Sequence, residues 1–354
     1  ALYASGILAT SAGWLAYSHV AVTDLPLAAT FSAALLLCLP WVRSGGRRGL
    51  FVAGILLGLA VLAKGLVPLV LIAPLLWIAG RRWPNLLILA GATLAVALPW
   101  YVLCYLRNGD AFIDEFFWKH HFSRFSTTDL LHEQPWWFYV PVLVGLTFPW
   151  SPMLVLAPHW PQDNRRKLLL MVVGFGFVFF SAATNKLPGY LLPLLPPLAA
   201  ILGVRLAEAT RVRALLGSCA ALLLLTPLVA GTLPDALAHG LSSVQIGASS
   251  WLAMLPIAAL GGLTLWFAGR EGRTLAVATV VFTATLGVIY MKWSMFPELD
   301  RAVSARPLWR QIEAEPESYC EGDLHRAIRY GLAYYAGKPL PPCNANPGLR
   351  RLER

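Results

Sequence analysis

Charged residues are scarce in this chain, and acidic residues are the scarcest. Only 13% of the 354 residues are charged, with 18 Asp and Glu against 28 Lys and Arg. A soluble domain usually carries about 25% charged residues. Hydrophobic residues make up 57% of the chain, so too few polar side chains remain to coat a soluble core of this length. The composition therefore excludes an ordinary soluble domain.

The long apolar stretches contain no acidic residue near their middles, and the chain has no internal repeat. Proton- and ion-coupled transporters usually bury such acids within the membrane, and many transporters have pseudo-repeated halves. Both absences favour another class of membrane protein. A polytopic transporter or flippase of lipid-linked sugars remains the alternative. No signal peptide is recognisable.

Eleven apolar stretches are long enough, or nearly so, to cross a bilayer as helices, which takes about 20 residues. The chain is therefore predicted to be an all-α membrane protein with a bundle of about 11 spans. The pair 50–63 and 66–80 is short and is interrupted by Lys64-Gly65, so it forms either two tight spans or a kinked element. The predicted spans cover 2–19, 26–42, 50–63, 66–80, 84–106, 136–157, 168–184, 189–207, 213–233, 251–269 and 273–292.

The gaps between these stretches alternate in character. One set is dominated by basic clusters: Arg43/Arg47/Arg48, Arg81/Arg82, Arg165/Arg166/Lys167, Arg211/Arg213 and Arg270/Arg273. The positive-inside rule assigns these gaps to the cytoplasm. Orientation thus explains the net charge of +10, and no nucleic-acid partner is expected. The other gaps then face the far side of the membrane, outside the cytoplasm, and they hold nearly all the groups capable of chemistry.

The predicted domains are a transmembrane domain over 1–295 and a small extracytoplasmic domain of α or α/β type over 296–354. Residues 107–135 are predicted to form an extracytoplasmic loop at the membrane interface. Cys320 and Cys343 are the two cysteines of the tail. A disulfide between them fits a periplasmic location, and two free thiols are the alternative.

Asp24 and Lys64 are candidate functional residues at predicted outer span ends. Asp24 precedes Leu25-Pro26 and either caps the helix that follows or has a further role. Lys64 lies within an otherwise apolar hairpin, where a lone lysine either snorkels to the interface or meets an anion.

The long outer loop is aromatic and basic in its middle. This pattern is typical of a segment in the lipid headgroup layer; alternatively, His120, His121, Arg124 and His132 point into a cavity. The histidine spacing matches no metal motif. Further along, Lys186 and Tyr190 lie beside a helix start and either hold a phosphate between them or merely flank the start signal Pro188.

Seven short motifs together resemble the polyprenyl-phosphate-sugar-dependent glycosyltransferases of the GT-C class. The resemblance is greatest to the lipid A aminoarabinose transferase and protein O-mannosyltransferase group, and it covers about residues 20 to 200 in family order. The motifs are Thr23–Leu27 (TDLPL), Gly58–Gly65 (GLAVLAKG), Leu98–Tyr101 (LPWY), Phe116–Phe125, Pro135–Tyr139 (PWWFY), Phe148–Trp150 (FPW) and Asn185–Tyr190 (NKLPGY).

The resemblance implies transfer of a sugar from a polyprenyl (undecaprenyl) phosphate carrier to lipid A, another glycan or a protein. It also implies a multi-pass protein of the bacterial inner membrane whose active face is periplasmic. It implies that Asp24 serves as a catalytic carboxylate in the family's second acidic loop motif. The donor phosphate is then gripped by Lys64, Arg124, Lys186 and Tyr190. A divalent metal ion (Zn, Mg or Mn) is a further expectation, with one or two of His120, His121 and His132 as ligands.

One departure from the family pattern concerns the first acidic motif. In a 13-span member this motif lies in the outer loop that joins two N-terminal spans, and it holds the expected catalytic base. Nothing in this sequence matches those two spans. We therefore expect the chain by itself to be inactive. If it proves active, Asp110, Asp114, Glu115 and Asp129 are the next candidates for the base.

Overall fold

The computed structural model describes residues 1–116, 118, 133–158, 160, 162–239, 251–270 and 272–353, and it is mostly helical. The α-helices named here are α1 (Leu2–Thr10), α2 (Ala12–Tyr17), α3 (Asp24–Ser44), α4 (Arg48–Lys64), α5 (Val67–Leu71), α6 (Pro74–Ala79), α7 (Leu86–Asn108), α8 (Asp110–Phe112), α9 (Tyr139–Leu146), α10 (Asn164–Ala182), α11 (Leu195–Glu208), α12 (Arg213–Leu222), α13 (Thr226–His239), α14 (Trp251–Gly269), α15 (Arg273–Ser294), α16 (Phe296–Val303), α17 (Arg306–Ile312) and α18 (Arg326–Ala336).

Short 3-10 helices and two strands complete the described structure. The 3-10 helices are Gly80–Asn85, Ser151–Leu156, Pro188–Leu194, Leu223–Leu225, Pro316–Ser318 and Cys343–Ala345. The strands are β1 (Tyr319–Glu321) and β2 (Arg350–Leu352).

Each of the eleven predicted spans is helical over most of its length. Among the described residues, five helical segments are both long and apolar enough to cross a membrane unaided: Asp24–Ser44, Val67–Asn108, Pro188–Glu208, Arg213–Ala236 and Arg273–Ser294. The other predicted spans are shorter, carry more charge or are broken. The stretch 66–80, for example, consists of the two short helices α5 and α6, which fits the kinked alternative.

The first predicted span, 2–19, is not one continuous helix. Ser11 is extended (φ −70°, ψ 131°) and separates α1 from α2. The carbonyl of Phe148 accepts a hydrogen bond from the Ala12 N–H at 2.8 Å, and Trp150 Nε1 donates to Thr10 Oγ1 at 2.8 Å. A backbone group freed within the membrane region must find a partner in the protein, and residues 148–150 provide partners for this break.

Helices α3, α4 and α7 pack side by side because glycines let two backbones approach. A Cβ added at Gly54 would lie 2.5 Å from the Leu89 carbonyl oxygen, and one at Gly58 would lie 2.7 Å from the Val96 Cβ. Thr93 Oγ1 donates a hydrogen bond to the Gly54 carbonyl at 3.1 Å, across the same contact. The small residues of the Gly58–Gly65 motif therefore hold α4, which ends at Lys64, against α7.

Two compact units divide the chain: Ala1–Ala220 with Leu263–Val281, and Ala221–Gly262 with Phe282–Arg354. In the second unit the tail forms a small α/β structure, in which β1 and β2 pair in parallel with Cys320 opposite Arg351. Cys320 and Cys343 are joined by a disulfide. The predicted domain boundary after residue 295 is not tested by this division and stays a prediction.

Candidate functional site

Asp24 and Lys64, which are 40 residues apart in sequence, form an ion pair. Asp24 is the first residue of α3, and Lys64 is the last residue of α4. The Lys64 side chain is 24% exposed and that of Asp24 is 14% exposed, so the pair is partly shielded from solvent. The close packing of α3 against α4 brings these two ends together.

Asp24 lies at the start of α3 but is not the N-cap residue of that helix. Thr23 occupies the N-cap position and makes no side-chain capping hydrogen bond. Asp24 lies in the first turn, where a negative charge is favoured by the helix dipole, and its carboxylate contacts Lys64 rather than a backbone amide of its own turn. Asp24 therefore begins the helix and also holds the ammonium group.

Tyr190 lies beside this pair. The Lys64 Nζ is 4.8 Å from the centroid of the Tyr190 ring, a distance typical of a cation–π contact. Tyr190 belongs to the 3-10 helix Pro188–Leu194, and its ring packs 5.8 Å from that of Phe180. The ammonium and the ring thus come from separate elements that meet at the predicted outer ends of α4 and of the span that begins at Pro188.

Two further tyrosines, Tyr17 and Tyr139, belong to the same region and are missing from the sequence-based site. The Tyr17 ring lies against Gly189, where an added Cβ would approach it to 2.9 Å. Tyr139 donates a hydrogen bond to the Leu187 carbonyl at 3.2 Å. Tyr139 is the last residue of the Pro135–Tyr139 motif. The sequence signal of Tyr17 is only an aromatic ring near an outer span end, which membrane-interface residues share.

Lys186 is buried, with 5% of its surface exposed. Its Nζ donates hydrogen bonds to the carbonyl oxygens of Gln134 at 2.9 Å and Ala183 at 2.5 Å. The neighbouring Asn185 pairs with Glu133 in an antiparallel bridge. Burial lowers the pKa of Lys186, whereas its two carbonyl partners favour the protonated form. Lys186 therefore ties residues 133–135 to the end of α10.

Several predicted residues lie outside the described part of the chain: Arg124, His120, His121, His132 and the alternative base Asp129. Within the described residues, no group of three or more His, Cys, Asp or Glu side chains is close enough to hold a metal ion. The other alternative bases, Asp110, Asp114 and Glu115, follow the end of α7.

The described site thus combines a shielded ion pair with three tyrosines. The Lys64 ammonium provides a positive charge with three hydrogen-bond donors, and the surrounding rings provide apolar walls with hydroxyl groups. This arrangement can bind an anionic group on an otherwise apolar molecule. The Asp24 carboxylate offers an acceptor for a proton or a hydroxyl group on the same side.

No family model matches the chain. Several known proteins nevertheless resemble it in sequence, and those described here carry the same enzyme name. It is 32% identical over 263 residues to undecaprenyl phosphate-alpha-4-amino-4-deoxy-L-arabinose arabinosyl transferase 2 of Pseudomonas fluorescens (strain Pf0-1), which covers 67% of this chain and 47% of the relative. It is 35% identical over 230 residues to the corresponding transferase of Pseudomonas aeruginosa (strain UCBPP-PA14). This match covers 59% of this chain and 40% of that relative. The chain spans about half the length of the curated relatives that it matches.

Two solved structures share its fold. The crystal structure of ArnT from Cupriavidus metallidurans bound to undecaprenyl phosphate superposes with a TM-score of 0.72, covering 99% of this chain and 70% of that protein at 22% identity. The apo structure gives a TM-score of 0.73 at 20% identity. The predicted multi-span helical fold and the resemblance to aminoarabinose transferases are therefore confirmed.

Proposed function

We propose that this multi-pass membrane protein, as a relative in sequence and fold of the aminoarabinose transferases, binds a polyprenyl-phosphate sugar and takes part in moving that sugar to an acceptor on the periplasmic face. The observation that carries the proposal is the contact of Asp24, Lys64 and Tyr190. These residues meet at the span ends opposite the arginine clusters. The relatives are named for an undecaprenyl phosphate-linked aminoarabinose donor, and we extend that donor to this chain.

Lys64 and Tyr190 are proposed to bind the donor phosphate. The ammonium neutralises phosphate charge, and a tyrosine hydroxyl adds a hydrogen bond. Arg124, which lies outside the described residues, is proposed to add a second cation. Lys186 is proposed to keep the wall of the site in place, because its hydrogen bonds already join residues 134 and 183.

In the proposed reaction, an acceptor oxygen attacks the anomeric carbon of the sugar and the bond from that carbon to the phosphate oxygen breaks. The departing phosphate keeps the electron pair, and its growing negative charge is stabilised by Lys64. The acceptor proton passes to a carboxylate acting as general base. That base is expected in the family's first acidic motif. Asp24 is the carboxylate of the described site and is proposed to position the acceptor, while its ion pair with Lys64 positions the ammonium for the phosphate.

The proposed acceptor is lipid A, with another glycan or a protein as the other acceptors that the family resemblance implies. A divalent metal held by His120, His121 or His132 stays a prediction, because these three residues lie outside the described part of the chain. The mechanism above uses no step through a metal.

Binding of undecaprenyl phosphate to the detergent-purified chain, measured by native mass spectrometry, tests this proposal. Replacing Lys64 with Ala removes a charge-assisted hydrogen bond, so we expect binding about 10- to 100-fold weaker. Tyr190→Phe keeps the ring and removes the hydroxyl, and we expect a smaller loss. Lys167→Ala, at the opposite end of the molecule, is the matched control and should bind as the unchanged chain does.

Equal binding by the Lys64→Ala variant and the unchanged chain would contradict the proposed phosphate site. The alternative transporter function makes a different prediction. In vesicles that contain the chain, movement of labelled undecaprenyl phosphate between leaflets that depends on Lys64 would favour a flippase over a transferase.

A further inference from the structure

Tyr101 lies beside the end of α4 that carries Lys64. It belongs to α7, and its hydroxyl donates a hydrogen bond to the carbonyl of Val61 at 3.2 Å. Val61 lies in the last turn of α4, three residues before Lys64. A side chain of α7 therefore contacts the turn from which the Lys64 side chain extends to Asp24 and Tyr190.

The Val61 carbonyl accepts two hydrogen bonds. The second donor is the N–H of Gly65, at 2.7 Å, and a backbone carbonyl has two lone pairs with which to accept both. Gly65 has a φ of +70°, a backbone conformation that favours glycine, and α4 ends just before it. The two donors together hold the last turn of α4 in place.

Tyr101 repeats a contact that the same two helices make closer to their middles. Thr93 of α7 donates a hydrogen bond to the Gly54 carbonyl of α4 at 3.1 Å. That bond lies about two turns before the Tyr101–Val61 bond on both helices. The hydroxyl of Tyr101 therefore fixes the register of α4 against α7 at the end where Lys64 lies.

The Tyr101 ring also contacts the beginning of the outer loop. Its centroid is 6.2 Å from that of Phe112 and 5.5 Å from that of Phe116, and the rings of Phe112 and Phe116 stack at 5.4 Å. These separations are typical of aromatic pairs that attract one another. The loop continues toward Arg124, which lies outside the described residues. Tyr101 thus joins the end of α4 to the start of this loop.

Tyr105, one turn further along α7, provides a comparison. Its side chain is 45% exposed, which is typical of a ring in the aromatic belt at a membrane interface. Tyr101 is less exposed, and its hydroxyl donates to α4. The aromatic belt therefore does not account for the placement of Tyr101.

We propose that Tyr101 is a positioning residue, which places the Lys64 ammonium for the donor phosphate through its hydrogen bond to Val61. This inference rests on the proposed phosphate site. A charge-assisted hydrogen bond depends on distance and direction, so a shift in the last turn of α4 weakens the contact between the ammonium and a phosphate. Tyr101 has this effect without contacting the phosphate itself.

A double-mutant cycle tests the proposal, with undecaprenyl phosphate binding to the purified chain measured by native mass spectrometry. Tyr101→Phe keeps the ring and removes the hydroxyl, so we expect binding about three- to tenfold weaker. In the Lys64→Ala background the same substitution should change binding by less than about twofold, because the group that Tyr101 positions is already gone. Tyr105→Phe removes a hydroxyl from the same helix and is the matched control, which should bind as the unchanged chain does. Thermal unfolding in detergent identifies a temperature at which every variant is folded, and binding is compared there.

An equal loss from Tyr101→Phe with and without Lys64 would overturn the inference, because Tyr101 would then affect binding independently of Lys64. Unchanged binding by Tyr101→Phe, or the same loss in Tyr105→Phe, would also overturn it while leaving the proposed phosphate site intact. If Lys64→Ala alone binds as tightly as the unchanged chain, the phosphate site itself is wrong and the positioning role of Tyr101 is overturned with it.

Discussion

Replacing Lys186 with Met tests whether this lysine ties two segments together or grips the donor phosphate. Methionine has a similar length and no hydrogen-bond donor. The substitution leaves the carbonyls of Gln134 and Ala183 without the ammonium that they accept from. Each buried acceptor left unpaired costs about 1–3 kcal/mol. Part of this cost is offset because the variant no longer buries the charged ammonium of Lys186. We therefore expect the free energy of unfolding to fall by about 2–4 kcal/mol.

Thermal unfolding in detergent provides the assay. For a domain of this size, about 1 kcal/mol corresponds to about 2–4 °C, so the variant should unfold roughly 4–16 °C below the unchanged chain. Lys167→Met is the matched control, because Lys167 is only half-buried at the cytoplasmic end of α10. It should unfold within about 2 °C of the unchanged chain.

The reasoning is refuted if Lys186→Met keeps the unfolding temperature and yet weakens undecaprenyl phosphate binding as much as Lys64→Ala does. Lys186 would then contact the phosphate directly, as the family resemblance implies. A lower unfolding temperature with phosphate binding retained below that temperature is the expected result.

Two further predictions concern packing and the tail. Gly58→Leu forces a side chain into Val96, so we expect the unfolding free energy to fall by about 1–3 kcal/mol. Gly91→Leu is the control, because an added Cβ at Gly91 meets nothing within 4 Å, and it should change the unfolding free energy little. Equal effects of the two substitutions would contradict the close contact at Gly58. The Cys320–Cys343 disulfide spans 23 residues, so its reduction should destabilise the tail by about 3 kcal/mol. Limited proteolysis with and without reductant measures this, and equal cleavage rates would contradict it.

The sequence predicts candidate residues for the site, but it does not predict the contacts between them. Asp24, Lys64 and Tyr190 are identifiable because each lies at a span end opposite the arginine clusters. Their mutual contact depends on how α3, α4 and the 3-10 helix Pro188–Leu194 pack together. Residues 24 and 190 are far apart in sequence, so their spacing does not reveal this packing. Tyr17 is missed because an aromatic ring at a span end is equally typical of the lipid interface. Tyr139 belongs to the Pro135–Tyr139 motif, but the motif does not reveal that its ring lies near Leu187.

Contacts with backbone groups are a part of the structure that the sequence does not predict. Lys186 donates to the carbonyl of Gln134, and every residue offers a backbone carbonyl, so the sequence does not single out this partner. The break at Ser11 follows neither a proline nor a glycine at that position. It is stabilised by the Phe148 carbonyl, which is contributed from another part of the fold, so the apolar stretch 2–19 gives no sign of it.

The hydrogen bonds from Arg273 to the end of α11 also constrain how the protein is synthesised. Ala209 and Arg273 are 64 residues apart, so the ribosome finishes α11 well before its partner exists. Until α15 is made, the carbonyls of Ala207 and Ala209 lack the guanidinium from which they accept in the folded chain. The later synthesis of α15 therefore supplies the partner for the end of an earlier helix.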